Sequence, residues 1–183
     1  MFDKSLEYKL VQIRKNRFPK VESFIQEYIY RFYSHNAKGR LKYIVSIKTY
    51  KNGLLTLDFY PKINLTPRIN SLDNVRDLRY MILTRQNAFG PIGATILDIM
   101  VEVGKRVENS SWGFLAANLP NETVNTNNKR FKIYTEVLRR TFMHHFDVYV
   151  NKQNSAIFVI HKAKAAEKQN IIDQYEQIFS EIN

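Results

Sequence analysis

The chain contains no cysteine. A disulfide framework, a thiol nucleophile and a thiolate-held metal are therefore excluded, and a reducing compartment fits. Glycine and proline are scarce, 6 and 5 in 183 residues, and no low-complexity run, internal repeat or linker is present. The opening stretch "MFDKSLEYKL" carries no apolar segment of leader length, and no apolar run approaches the length of a membrane span. The expectation is a soluble cytoplasmic protein with no membrane partner. Histidine is rare as well. His35, His144, His145 and His161 show neither i, i+4 pairing nor an HExxH pattern, so no metal site is expected. A GxSxG nucleophile turn is missing, and Asp58 and Glu102 do not form a recognisable acid–base pair.

Negative charge is the remaining shortage. Aspartate and glutamate number 17 against 28 lysines and arginines, a net charge of +11. Such a balance draws a protein toward polyanions: nucleic acid, phosphorylated cofactors or acidic protein partners. A basic surface that merely keeps the chain soluble is the competing reading. The stretches "RKNRFPK", "YIYRFYSHNAKGRLKY" and "NKRFKIY" interleave bases with aromatics, as stacking plus phosphate contact requires. In the first and third, most aromatics fall on expected core stripes. No RNP, KH, zinc-finger or helix-turn-helix signature accompanies them.

What is present is a globular composition, 44% hydrophobic and 13% aromatic, with length for one domain and a sizeable core. Residues 19 to 33 place Val21, Phe24, Ile25, Tyr28, Ile29 and Phe32 at helical spacing, which predicts an amphipathic helix in an N-terminal segment 1–40. The preceding "EYKLVQIRKNRF" reads as either a short strand or a helix. "LKYIVSIKTY" alternates, Asn52-Gly53 signals a turn, and "LLTLDFYP" returns, so 41–60 reads as an antiparallel hairpin. "RDLRYMILT" reads as a third strand. Residues 94 to 107 form a helix apolar around most of its circumference, expected to be buried on more than one side. "SWGFLAANLP" is a fourth strand and "KRFKIYTEVLRRTF" a helix with Phe131, Tyr134, Leu138 and Phe142 on its stripe. "FDVYVN" and "AIFVIHK" form a second hairpin, and a C-terminal helix runs over about 163–181. The fold class is α+β, or mixed α/β: one domain whose central mixed sheet, six- to seven-stranded and spanning 41–160, is flanked by helices. Strand–helix–strand in the middle makes 78–84 and 112–119 parallel neighbours.

The central helix opens at "RQNAFGPIGATIL", residues 85–97. Gly90 and Gly93 cost backbone entropy and Pro91 donates no hydrogen bond. The turn is either a plain connection or a site where bare backbone approaches an anion at a helix N-terminus. The element order, with this turn, resembles the GCN5-related N-acyltransferase superfamily. That family opens its central helix with Q/R-x-x-G-x-G/A followed by a Leu-Leu pair. Here Gly93 holds the last motif position and Ile96-Leu97 the pair; Pro91 and Ala88 stand at the first-glycine and Gln/Arg positions, and Gly90 is displaced by one. The family's N-x-x-A-x-x-L-Y helix is matched in spacing by Asn127, Arg130, Ile133 and Tyr134. The resemblance implies that acetyl-CoA or another acyl-CoA is bound and its acyl group passed to an amine acceptor. It implies a pyrophosphate held by Phe89, Gly90, Ile92, Gly93 and Ala94, and a pantetheine arm along Leu83 and Thr84. It further implies a cofactor contact at Asn127 and a catalytic acid at Tyr134. The other reading is a non-catalytic basic module of the same fold acting on nucleic acid or an acidic protein.

Overall fold

The computed structural model describes residues 4–18, 23–36, 39–62, 89–116 and 129–182. They hold strands β1 (Tyr8–Lys15), β2 (Gln26–Asn36), β3 (Gly39–Thr49), β4 (Leu54–Pro61), β5 (Ser111–Leu115), β6 (Phe146–Asn151) and β7 (Ala156–His161). The helices are α1 (Phe89–Gly104), α2 (Lys129–Phe142) and α3 (Lys168–Ile182). The strands form a seven-stranded, mostly antiparallel sheet in the order β1-β2-β3-β4-β5-β7-β6. The class is α+β, with the sheet made mixed by one parallel pair. β4 and β5 run parallel through Leu54↔Ser111, Leu55↔Trp112 and Thr56↔Gly113, while β7 pairs antiparallel with both β5 and β6.

Two expectations are corrected. No helix forms over the described part of 19–33: from Gln26 onward the chain is β2. Tyr28, Tyr30, Phe32 and Ser34 are buried in alternation, with Ile29, Arg31 and Tyr33 half-buried between them. "EYIYRFY" is crowded with aromatic and β-branched side chains, which lose rotamer freedom on a helix and pack well on a pleated surface. Ile25, assigned to the helical stripe, is instead 52% exposed. The second correction concerns β5, whose parallel neighbour over Ser111–Gly113 is β4. The return strand of the first hairpin takes that place. The expected strand at 78–84 lies outside the described residues. The chain from β4 to β5 still carries α1, as a parallel connection demands.

The chain divides into two compact units, each described in turn. The first comprises Met1–Arg14, Tyr28–Ser46 and Asp58–Arg106. α1 buries Ile92, Ile96, Ile99, Met100 and Val103, the i, i+4, i+7, i+8, i+11 stripe of a one-sided helix. Ala94 and Thr95 are buried as well, beyond that stripe, while Val101 is 43% exposed. Opposite stand Tyr30, Phe32, Tyr43 and Val45, all at 0% exposure, with Phe32 stacked on Tyr43 at 5.0 Å between ring centroids. Polar ties complete the contact. The Tyr30 hydroxyl donates to Glu102 Oε1 at 2.9 Å, and Arg106 Nη2 reaches the same oxygen at 2.9 Å. Thr95 Oγ1 accepts from the Leu6 amide at 2.8 Å and donates to the Pro91 carbonyl at 2.7 Å.

The second unit comprises Lys15–Glu27, Ile47–Leu57 and Val107–Asn183. Its core gathers Phe24, Leu54, Phe158, Ile160, Tyr175 and Phe179. The expected hairpin turn is here: Asn52 and Gly53 both take positive φ, 62° and 69°, and the Leu54 amide bonds the Lys51 carbonyl. That is the type I′ geometry that Asn-Gly favours. Lys164 Nζ fastens the turn by donating to the Asn52 carbonyl at 2.6 Å. Between α2 and β6, Lys162 Nζ donates to the carbonyls of Met143 and His144 at 3.0 and 3.3 Å, covering acceptors that the end of α2 leaves open.

Candidate functional site

α1 begins at Phe89, so the two glycines and Pro91 stand inside its first turns rather than in a loop ahead of it. Pro91 is tolerated there because the first turn needs no intrahelical donor. This placement corrects the proposed cradle. In an α-helix each N–H from the second turn onward bonds a carbonyl four residues back. The amides of Gly93 and Ala94 are therefore spent on Phe89 and Gly90, and Pro91 has none to offer. Among the described residues, the amides of Phe89 and Gly90 remain at the positive end of the helix dipole. No acidic side chain occupies the first turn, so nothing there repels an anion. Ile92 and Ala94 are buried and serve the core, while Gly90 and Gly93 are half-buried and Pro91 is exposed. The terminus offers fewer amide donors than the resemblance implies.

Leu83, Thr84 and Asn127 lie outside the described residues. Tyr134 belongs to α2 in the second unit, half-buried and engaged in an interaction of its own. Its neighbour Thr135 is buried with Oγ1 lacking a hydrogen-bond partner. Phe131, Leu138 and Phe142 form the buried stripe of that helix as the spacing predicts. An open groove of about 370 Å³ in the second unit is lined by Arg139, Arg140, Met143, Phe146, Asp147 and Val148, none of them an assigned residue. Among the described residues no three His, Asp or Glu side chains gather as a metal site, and no helix is long and apolar enough to cross a membrane.

One arrangement escaped the sequence reading. Tyr175, on α3, is fully buried with its hydroxyl between the two parallel strands. The hydroxyl accepts from the Leu55 amide at 3.1 Å and lies 2.5 Å from the Ser111 carbonyl and 3.2 Å from the Leu55 carbonyl. A side-chain oxygen thus joins main-chain groups of β4 and β5. Burial pushes the Tyr175 phenol well above its ordinary range. Gly113 makes room for it, since a Cβ there would sit 2.5 Å from the ring's Cδ1. The available signal was a glycine inside an apolar strand, which marks close approach by another group.

No family model, curated protein or solved structure matches this chain.

Proposed function

We propose that the protein binds an acyl-CoA and passes the acyl group to an amine, in the manner of the N-acyltransferases its sequence resembles. The observation that carries this reading is the single parallel pair, β4 and β5, with α1 between them in the chain. The resemblance placed 78–84 beside β5, so β4 stands in a position that it assigned to another strand. The pyrophosphate of CoA takes the amides of Phe89 and Gly90. The resemblance assigns to Tyr134 the role of the acid that protonates a departing thiolate.

The test is calorimetric titration and thermal unfolding with acetyl-CoA and with desulfo-CoA. Both ligands raise the unfolding midpoint, because a ligand held only by the native state stabilises it, by about 2.7 kcal/mol at a hundred times its dissociation constant. Gly90→Val weakens binding by placing a branched side chain over the donors. Tyr134→Phe leaves binding intact and slows transfer. No heat and no thermal shift at millimolar ligand overturn the reading.

A further inference from the structure

The first unit has two sheet faces, and only one of them meets α1. The buried side chains Tyr30, Phe32, Tyr43 and Val45 point to the helix, and Tyr8 joins them by meeting Tyr30 edge-on at 6.0 Å. Side chains alternate along a strand, so the opposite face carries Lys9, Val11 and Ile13 of β1, Arg31 and Tyr33 of β2, and Arg40 and Lys42 of β3. Lys9 and Arg40 are exposed, Arg31, Tyr33 and Lys42 half-buried. Val11 and Ile13 remain 52% and 46% exposed on the edge strand.

Cations outnumber acids on this face, where alternation and register also place Glu7 and Asp58. Among the described residues none of Lys9, Arg31, Arg40 and Lys42 makes an ion pair, whereas Arg106 and Arg140 elsewhere each hold a glutamate. Two of the four cations are organised around one ring. The guanidinium carbon of Arg40 lies 3.6 Å from the Tyr33 ring centroid, and that of Arg31 lies 5.6 Å from it. The Arg40 guanidinium is thereby held over the face of the Tyr33 ring. A flat sheet spaces its strands by about 4.8 Å and its same-face residues by about 6.6 Å, so cations, aromatic surface and aliphatic surface repeat on a short grid.

We infer that this face is a platform for single-stranded nucleic acid, with Lys9, Arg31, Arg40 and Lys42 contacting phosphates and the Tyr33–Arg40 stack receiving a base. Bases stack on aromatic rings and on guanidinium planes alike. A phospholipid surface, or an acidic peptide without aromatic residues, would satisfy the charges but has no flat π-face for the stack. The inference is independent of acyl-CoA binding, because it uses no residue of α1 or α2.

Fluorescence anisotropy with labelled oligo(dT) and oligo(rU) of twenty nucleotides tests it, alongside phosphatidylserine vesicles and polyglutamate at the same salt. Both oligonucleotides bind, with a log–log salt slope near ~−3, since each phosphate contact on a single strand contributes about −0.7. Replacing Arg31 and Arg40 together by Gln flattens the slope by about 1.4 and lowers affinity ~10-fold or more. The pair Lys9→Gln with Lys42→Gln, which leaves the stack in place, flattens the slope equally with a smaller affinity loss. Lys152→Gln, in the second unit, changes neither. Circular dichroism melts confirm that each variant is folded. Absence of binding at low salt overturns the inference, as does unchanged affinity in both double variants. Vesicles or polyglutamate bound as tightly as the oligonucleotides would assign the face to that polyanion instead.

Discussion

At the scale of single residues, three tyrosines carry opposite lessons about buried hydroxyls. Tyr43 is fully buried with no hydrogen-bond partner, so its hydroxyl is a net cost and Tyr43→Phe is expected to stabilise the protein by about 1 kcal/mol. Tyr175 is equally buried but its hydroxyl serves main-chain groups of two strands, so Tyr175→Phe is expected to cost about 1–3 kcal/mol by stranding them. Urea unfolding distinguishes the two signs, and destabilisation by both substitutions would refute the account of Tyr43. Burial also pushes the Tyr43 phenol up to about 12 and raises those of Tyr30 and Tyr175 above their ordinary range. Glu102, hydrogen-bonded to Tyr30, adds to the effect there. Each is neutral in the fold, while the unfolded chain ionises near its ordinary value of about 10. The native state then binds more protons, so stability is intact below about pH 10 and falls as pH rises toward 12 and beyond. Tyr43→Phe lessens that alkaline loss, measurable as a shallower decline of the urea midpoint between pH 9.5 and 11.5 (working values set by the ~10 reference).

Elements were legible where local chemistry and burial agree. The turn at Asn52-Gly53 was visible because two positive φ angles in succession suit Asn and Gly and few other residues. Gly53→Ala is accordingly expected to cost about 1–2 kcal/mol, read as a loss in thermal unfolding. A Cβ there would meet Lys164 Nζ at 3.3 Å, the Glu108 carbonyl at 3.4 Å and Val107 Cγ1 at 3.7 Å, so the positive φ adds strain to a contact that is only slightly tight. An unchanged melting temperature would contradict the type I′ assignment. α1 and α2 and the 146–161 hairpin were equally visible, each having one periodicity. β2 was misread because "SFIQEYIYRFY" offers apolar residues at both a helical and an alternating spacing, and sequence alone does not say which set finds a core. The ring of Tyr43 opposite Phe32 decided it. The site was less legible than the fold. Gly90 and Gly93 marked the right junction, yet whether their amides are free depends on where α1 begins, a register that capping does not reveal here. The basic platform was invisible for a related reason. Its cations come from three strands, one of which the helical reading had removed.

For the whole molecule, charge is the dominant fact. Among the described residues Arg106 and Arg140 hold i, i+4 pairs with glutamates, both pairs partly or largely exposed, a class that contributes about 0.3–0.5 kcal/mol each. A net charge of +11 spread over a small body repels itself, and folding brings those charges closer together. Salt shortens the range of that repulsion, from about 30 Å at 0.01 M to about 10 Å at 0.1 M. The unfolding midpoint is therefore expected to rise when sodium chloride is increased over this interval, while the hydrophobic cores of both units are unaffected. Nucleic-acid binding responds in the opposite direction, because salt competes for the phosphates. One titration thus separates two consequences of the same charge: stability climbs as affinity falls. Inorganic polyphosphate at low salt should reproduce the rise, acting as a polyanion bound by the native state. It should lose part of that effect in the Arg31→Gln, Arg40→Gln variant but not in Lys152→Gln. A midpoint that falls on adding salt would mean that favourable charge pairs outweigh repulsion in the native protein, and would remove the electrostatic basis for the platform on β1, β2 and β3.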